Sequence, residues 1–183
     1  MYNYPPLLAI LLEPLSVLPC GWANVLWQSF SIASWLWSIT WLTWDVYQHS
    51  GARRAVAVAA VMTFYLPIVN GFYEGQVHLI LLAIFVTSFM LVERGHPYAA
   101  GAVLAFGVYL KYLPIVIIGY YVLRGQWRVA LGASIGGAAL GVFELLVGGP
   151  QLVIQSVLAI PPSLAVGTNL TLAAIVPLAA PIG

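Results

Sequence analysis

From Val129 to the last residue the chain carries a single charged side chain, Glu144. A soluble domain carries about 25% charged residues, whereas here the figure is 6%, against 62% hydrophobic residues and a mean hydropathy of +0.99. There are too few polar groups to cover a water-facing surface, so the bilayer is the expected solvent. In hydrocarbon every backbone N–H and C=O must be paired internally, which leaves helices or closed barrels. The runs are continuous rather than alternating, so the expected fold class is all-α, a polytopic helical membrane protein. The formal net charge of +1 and the absence of a basic run exclude nucleic acid as a partner. One cysteine, Cys20, excludes an internal disulfide framework and a cysteine-rich metal site.

Residues 5–18 (PPLLAILLEPLSVL) are too short to span, since a full crossing needs about 20 residues, and Pro14 interrupts them. They read as an interfacial or half-inserted helix. Residues 21–45 form the clearest span, studded with Trp22, Trp27, Trp35, Trp37, Trp41 and Trp44. Tryptophan favours the membrane–water interface, which fits the ends; Trp35 and Trp37 are expected to pack against neighbouring helices. Asp45 to Arg54 reads as a loop. Residues 55–69 and 77–92 read as short apolar helices around the break Asn70–Gln76, and Glu93-Arg94-Gly95-His96-Pro97 makes the next break.

Residues 98–123 pose a choice. One span would bury Lys111 near its middle, at about 2.5–3.5 kcal/mol on insertion scales. It would also put Arg124 and Arg128 on the wrong side. Two short helices turning at Lys111-Tyr112-Leu113-Pro114 remove both difficulties, and Pro114 favours a break just before it. Residues 129–147 follow as a span whose Gly132, Gly136, Gly137 and Gly141 allow close helix approach. Residues 148–170 read as a Gly- and Pro-rich outer loop, with a weak glycosylation triplet at Asn169-Leu170-Thr171. The sum is about six full or short membrane helices plus an interfacial one, in a single transmembrane domain over residues 1–183.

All five arginines fall in three breaks, at Arg53 and Arg54, at Arg94, and at Arg124 and Arg128, while Lys111 and Glu74 fall in the intervening ones. Basic residues accumulate in cytoplasmic loops. This alternation places Tyr4, Glu74, Gln76, His78, Lys111 and Tyr112 together on the outer face, with His49 and His96 opposite. Gln76 and His78 lie at a helix start, where unpaired backbone donors attract anions, and Lys111 is a point charge suited to phosphate. Competing readings are snorkelling of Lys111 to lipid headgroups, and capping or interhelical hydrogen bonding by Gln76 and His78. Convergence on one side favours a site. A metal held by His78 and Glu74 would have only two ligands, so no metal and no cofactor is expected. Glu144 reads as an acid near the outer surface that could join the site, with interfacial exposure the simpler account. No nucleophile arrangement, phosphate-cradling glycine loop or redox motif is present.

At three elements the chain resembles the polyprenol-phosphate-mannose-dependent mannosyltransferases of glycosyltransferase family 87, membrane enzymes of the GT-C fold. They are Tyr4-Pro5-Pro6-Leu7-Leu8-Ala9 with Pro14-Leu15 and Leu18-Pro19; Gly75-Gln76-Val77-His78-Leu79, similar to the family's Gly-Gln-Val-Asn-Leu; and Leu110-Lys111-Tyr112-Leu113-Pro114, similar to its Lys-x-x-Pro turn. The set is ordered and spaced as in the family and covers residues 2–130 best. The resemblance implies an inverting hexosyl transfer, mannose by analogy, from a polyprenyl-phosphate donor to a lipid or glycan acceptor at the outer face of the plasma membrane. It implies donor-binding roles for Tyr4, Gln76, His78, Lys111 and Tyr112, with His78 standing where the family has Asn. In the family an aspartate of the first outer loop acts as general base; the resemblance would put that loop upstream of Met1. No basic leader segment follows Met1, and both ends read as cut. The expectation is therefore a fragment, inactive alone and without the catalytic base, with Glu74 a weak substitute.

A multispan transporter or lipid flippase subunit is the alternative from another class. It would place polar groups at mid-membrane along a path, whereas here they gather at one surface. A purely structural membrane subunit would make the outer cluster indifferent to substitution.

Overall fold

Apolar stretches separated by Gly-, Pro- and Arg-bearing breaks close their backbone hydrogen bonds as helices. A computed structural model describes residues 6–64, 70–71 and 75–165, with side chains for 7–64, 70–71 and 75–151. Among the described residues there is no strand. The helices are α1 (Pro6–Ser16), α2 (Cys20–Ser50), α3 (Ala52–Phe64), α4 (His78–Glu93), α5 (Pro97–Leu110), α6 (Ile115–Leu123) and α7 (Trp127–Ala165). The turn at Lys111–Pro114 separates α5 from α6, as two short helices require.

The tightest packing is between α5 and α7. A Cβ on Gly132 would strike the Tyr98 backbone, and one on Gly101 would strike Val129 and Ala133 backbone atoms. At Gly136 a Cβ would sit 2.9 Å from Ala102 Cα. Three glycines thus let two helix backbones touch, the small-residue packing used where lipid supplies no hydrophobic drive between helices. Gly137, in the same sequence stripe, meets nothing within 4 Å and serves no such purpose.

Helices α4 and α6 end alike. Gly95 (φ 79°) and Gly125 (φ 74°) adopt left-handed backbone, and the next N–H groups reach back, His96 to Leu91 O at 2.8 Å and Gln126 to Tyr121 O at 2.9 Å. This is the Schellman ending. It sets Arg94 and Arg124 beside helix C-termini, where positive charge is favoured. Because α2 and α4 run one way while α5 and α7 return, the arginines gather at one end of the bundle and Lys111 sits at the other. Trp27 bonds Gly75 near the start of α4, and Trp37 Nε1 reaches Thr87 Oγ1 at 3.1 Å further along, which sets α2 parallel to α4.

Four expectations are corrected. Helix α1 is more than a surface element: Leu7, Leu8 and Leu12 are buried, packed with α7 and α5, while Leu11 on the other face is exposed. The loop expected from Asp45 to Arg54 shrinks to Gly51. The helix runs on to Ser50, with His49 and Asp45 paired at i,i+4 (3.3 Å), until Gly51 at φ 84° stops it. The outer loop expected over 148–170 is helical to Ala165, with one non-helical residue, Gly149 (φ 74°, ψ 164°); the Asn169 triplet lies outside the described residues. Lastly, α2 is long, yet its serines and polar termini dilute it. By length and composition one described helix can cross a membrane, Trp127–Gln151, while Leu7–Ser16, His78–Glu93 and Pro97–Leu110 are shorter apolar helices. Trp35 and Trp37 do bond to neighbouring helices, Trp35 Nε1 donating to Met62 O at 3.0 Å.

Candidate functional site

The end of the bundle opposite the arginines is built by two turns. In the first, Gly75 takes a left-handed conformation (φ 60°), and the buried Trp27 donates its indole N–H to Gly75 O at 2.7 Å. A buried indole N–H needs such an acceptor, so Trp27 pins the strand of chain that leads into α4. The Gln76 N–H then reaches Gly71 O at 3.2 Å, Val77 occupies the cap position, and His78 opens α4 on the exposed side. Gln76 itself is buried.

In the second turn, Lys111 terminates α5 in extended backbone (φ −160°, ψ 137°), its N–H returning to Gly107 O at 2.9 Å. Pro114, fully buried, opens α6 and packs over Gly107, where a Cβ would lie 3.0 Å from both Pro114 Cγ and Ile84 Cγ2. The absence of a side chain at Gly107 is what lets the turn fold down onto α5.

These turns meet. Lys111 Nζ lies 2.9 Å from His78 Nε2, linking side chains 33 positions apart. An ammonium can only donate, so with Lys111 charged the imidazole accepts at Nε2 and carries its proton on Nδ1. Partial burial lowers the Lys111 pKa from the ordinary lysine range. Burial first, and then the charge of Glu144, raise that of the Tyr112 hydroxyl. A cation held partly out of water beside a helix N-terminus is an arrangement suited to an anion.

Of the residues singled out in the sequence, Gln76, His78, Lys111 and Tyr112 lie at this end. His96 caps the start of α5 at the arginine end, and His49 feels the charge of Glu93 there. Tyr4 and Glu74 lie outside the described residues. Among the described residues no cluster of three or more His, Cys, Asp or Glu occurs.

Glu144 departs from expectation: it is 4% exposed rather than interfacial. One carboxyl oxygen accepts the backbone N–H of Leu7 at the start of α1, and Oε1 has no hydrogen-bond partner. Trp27 was legible only as one tryptophan among many in α2. Its burial is the signal that sets it apart, and the sequence does not give burial.

Comparison with known proteins adds a second line. A sequence model described as Glycosyltransferase family 87 matches residues 2–179. The chain is 32% identical over 145 residues to the polyprenol-phosphate-mannose-dependent alpha-(1-2)-phosphatidylinositol mannoside mannosyltransferase of Mycobacterium tuberculosis, covering 72% of this chain and 34% of that protein. It is 26% identical over 149 residues to the polyprenol-phosphate-mannose-dependent alpha-(1-2)-phosphatidylinositol pentamannoside mannosyltransferase of Mycolicibacterium smegmatis, covering 80% and 35%. The chain thus spans about a third of the length of the curated relatives it matches. No solved structure matches. A family match running almost end to end, over turns whose Gly-Gln-Val-His and Lys-Tyr-Leu-Pro stretches come together in space, shows that this chain belongs to glycosyltransferase family 87.

Proposed function

We propose that the chain forms the donor-binding part of an integral-membrane, GT-C-like glycosyltransferase. On this reading it helps to transfer a hexose, mannose as in the relatives' names, from a polyprenyl-phosphate carrier to a glycolipid acceptor at the outer face of the membrane. The observation that carries the reading is the 2.9 Å contact between Lys111 and His78. It joins the two family-like motifs into one cationic, hydrogen-bonding pocket rim.

Each group then has a task. The Lys111 ammonium pairs with the carrier's phosphate and neutralises charge on it as the sugar–oxygen bond breaks, the electrostatic role that preorganised cations play in group transfer. His78 orients that ammonium through Nε2 and offers Nδ1–H to a second phosphate oxygen. Trp27 and Gly75 hold the His78 turn in place, and Tyr4, Gln76 and Tyr112 line the donor side. The general base that accepts the acceptor's proton is assigned to none of these side chains.

Membrane residence rests on the apolar helices and on what they expose. Leu123 is 89% exposed, Val17 86% and Leu146 81%, alongside Phe64, Val56 and Trp22. Exposed apolar surface on that scale marks contact with lipid or with further protein. The arginine end is read as cytoplasmic. A transport path through the bundle finds less support, because Gln76, His78, Lys111 and Tyr112 gather at one end of it rather than along its length.

The reading is tested by photocrosslinking a diazirine-bearing polyprenyl-phosphate mannose to the protein in membrane vesicles. Labelled peptides should contain His78 and the Lys111–Pro114 turn. Labelling confined to the Arg94 and Arg124 turns would refute the assignment.

A further inference from the structure

Glu144 is the one ionisable side chain of the described residues that is both buried and half unused. It is 4% exposed, and its Oε1 has no partner. The other oxygen takes the Leu7 N–H at the N-terminus of α1, an 11-residue helix. A buried acceptor left unsatisfied is costly, and such groups call for an explanation.

Its surroundings narrow the choice of partner. Gly137, Gly141 and Glu144 stand at i, i+4 and i+7 on one stripe of α7. The Tyr109 hydroxyl lies against that stripe, donating to Gly137 O at 2.9 Å and sitting 3.0 Å from where a Gly141 Cβ would be. The missing side chain at Gly141 therefore lets the Tyr109 hydroxyl close onto α7 one turn from the carboxyl group. The charge of Glu144 also reaches the Tyr112 hydroxyl, next in the chain to Lys111. Among the described residues no basic side chain pairs with Glu144, and no further acid, histidine or cysteine completes a metal site. An anion would be repelled here. A neutral ligand rich in O–H donors would fit, with tyrosine hydroxyls as supplementary partners.

We propose that Glu144 is the hydroxyl-binding acceptor of a sugar subsite adjoining Tyr112, with Oε1 receiving hydrogen bonds from the hydroxyls of a hexose. The proposal rests on the donor-site reading above and deepens it: Lys111 and His78 hold the phosphate, and Glu144 reads the sugar. Both carrier-linked sugar and acceptor sugar present that chemistry, so the experiment separates them.

The test is equilibrium binding to the protein in nanodiscs of three probes: bare polyprenyl phosphate, polyprenyl-phosphate mannose and phosphatidylinositol mannoside. The variant is Glu144→Gln, whose amide oxygen can still accept the Leu7 N–H, so α1 keeps its anchor. If the carrier's sugar occupies the subsite, E144Q lowers the preference for glycosylated over bare carrier about tenfold and leaves bare-carrier affinity and Tm unchanged. If the acceptor's sugar occupies it, only phosphatidylinositol mannoside binding falls. Either result supports the subsite and names its source. Unchanged affinities for all three probes, or a joint loss of bare-carrier binding and Tm, would assign Glu144 to anchoring α1 and overturn the proposal. Wild-type protein that binds neither carrier would instead refute the donor-site reading, and a uniform loss on both carriers in Lys111→Ala distinguishes that site from this one.

Discussion

Removing the Lys111 ammonium is the sharpest perturbation open to this site. The side chain is partly buried, with Nζ 2.9 Å from His78 Nε2, so a bound phosphodiester would form a charge-assisted hydrogen bond with it in a weakly hydrated setting. Hydrogen bonds to charged groups contribute about 1.5–3 kcal/mol. At about 1.4 kcal/mol per tenfold, Lys111→Ala should weaken binding of polyprenyl-phosphate mannose by roughly 10- to 150-fold. Lys111→Arg restores the charge without the compact ammonium and should recover only part of the loss. His78→Asn keeps a donor and an acceptor and should bind within about threefold of wild type, while His78→Leu should fall with Lys111→Ala.

The pH profile provides an internal check. A phosphodiester does not titrate near neutrality, so any change belongs to the protein. Binding needs the charged lysine, and burial lowers the Lys111 pKa in the free protein. Affinity should therefore decline as pH rises through the alkaline range, beginning below the range of an exposed lysine, about 10.4. In Lys111→Ala that decline disappears. Titration of a fluorescent short-chain carrier into nanodisc-held protein measures both effects. A Lys111→Ala variant with intact helical circular dichroism and affinity within twofold of wild type would refute the reasoning.

Other outcomes follow from the packing. Gly132→Ala forces a Cβ into the Tyr98 backbone and should cost at least about 1–3 kcal/mol, read as a lower Tm. Gly137→Ala, with nothing within 4 Å, should be neutral or stabilising by up to about 1 kcal/mol. Trp27→Phe removes the hydrogen bond to Gly75 O and should cost about 1–3 kcal/mol, with faster hydrogen exchange at Gln76 and Val77. In a Cys20→Ser background, single cysteines at positions 78 and 111 should react with an impermeant maleimide from the same side of sealed vesicles, and one at position 94 from the other.

Much of this architecture was legible because its signals are local. The arginine-bearing breaks become helix ends through Gly95 and Gly125, and the cost of burying Lys111 in one long span correctly selects two helices meeting at Pro114. Features set by tertiary packing were not legible. Asp45 to Ser50 looks like a polar loop, yet the helix continues through it until Gly51. Gly148-Gly149-Pro150 looks like the start of a long loop, but a single left-handed residue at Gly149 suffices for a kink. Gly132, Gly136 and Gly137 read alike in the sequence, though a Cβ at Gly132 or Gly136 would strike α5 and one at Gly137 would meet nothing within 4 Å. Glu144 looked like an interfacial acid because no pattern in Val142–Leu146 reveals that α1 folds over it.

The chain offers an unusually direct probe, because Lys111 is its sole lysine. Uniform 15N-lysine labelling therefore places one side-chain nitrogen signal at the proposed site. Solid-state NMR recoupling between that 15Nζ and the 31P of bound polyprenyl-phosphate mannose should show strong dephasing, as required by an N···O separation of about 2.8 Å. Bound carrier whose phosphorus produces no dephasing of the Lys111 signal would contradict the account.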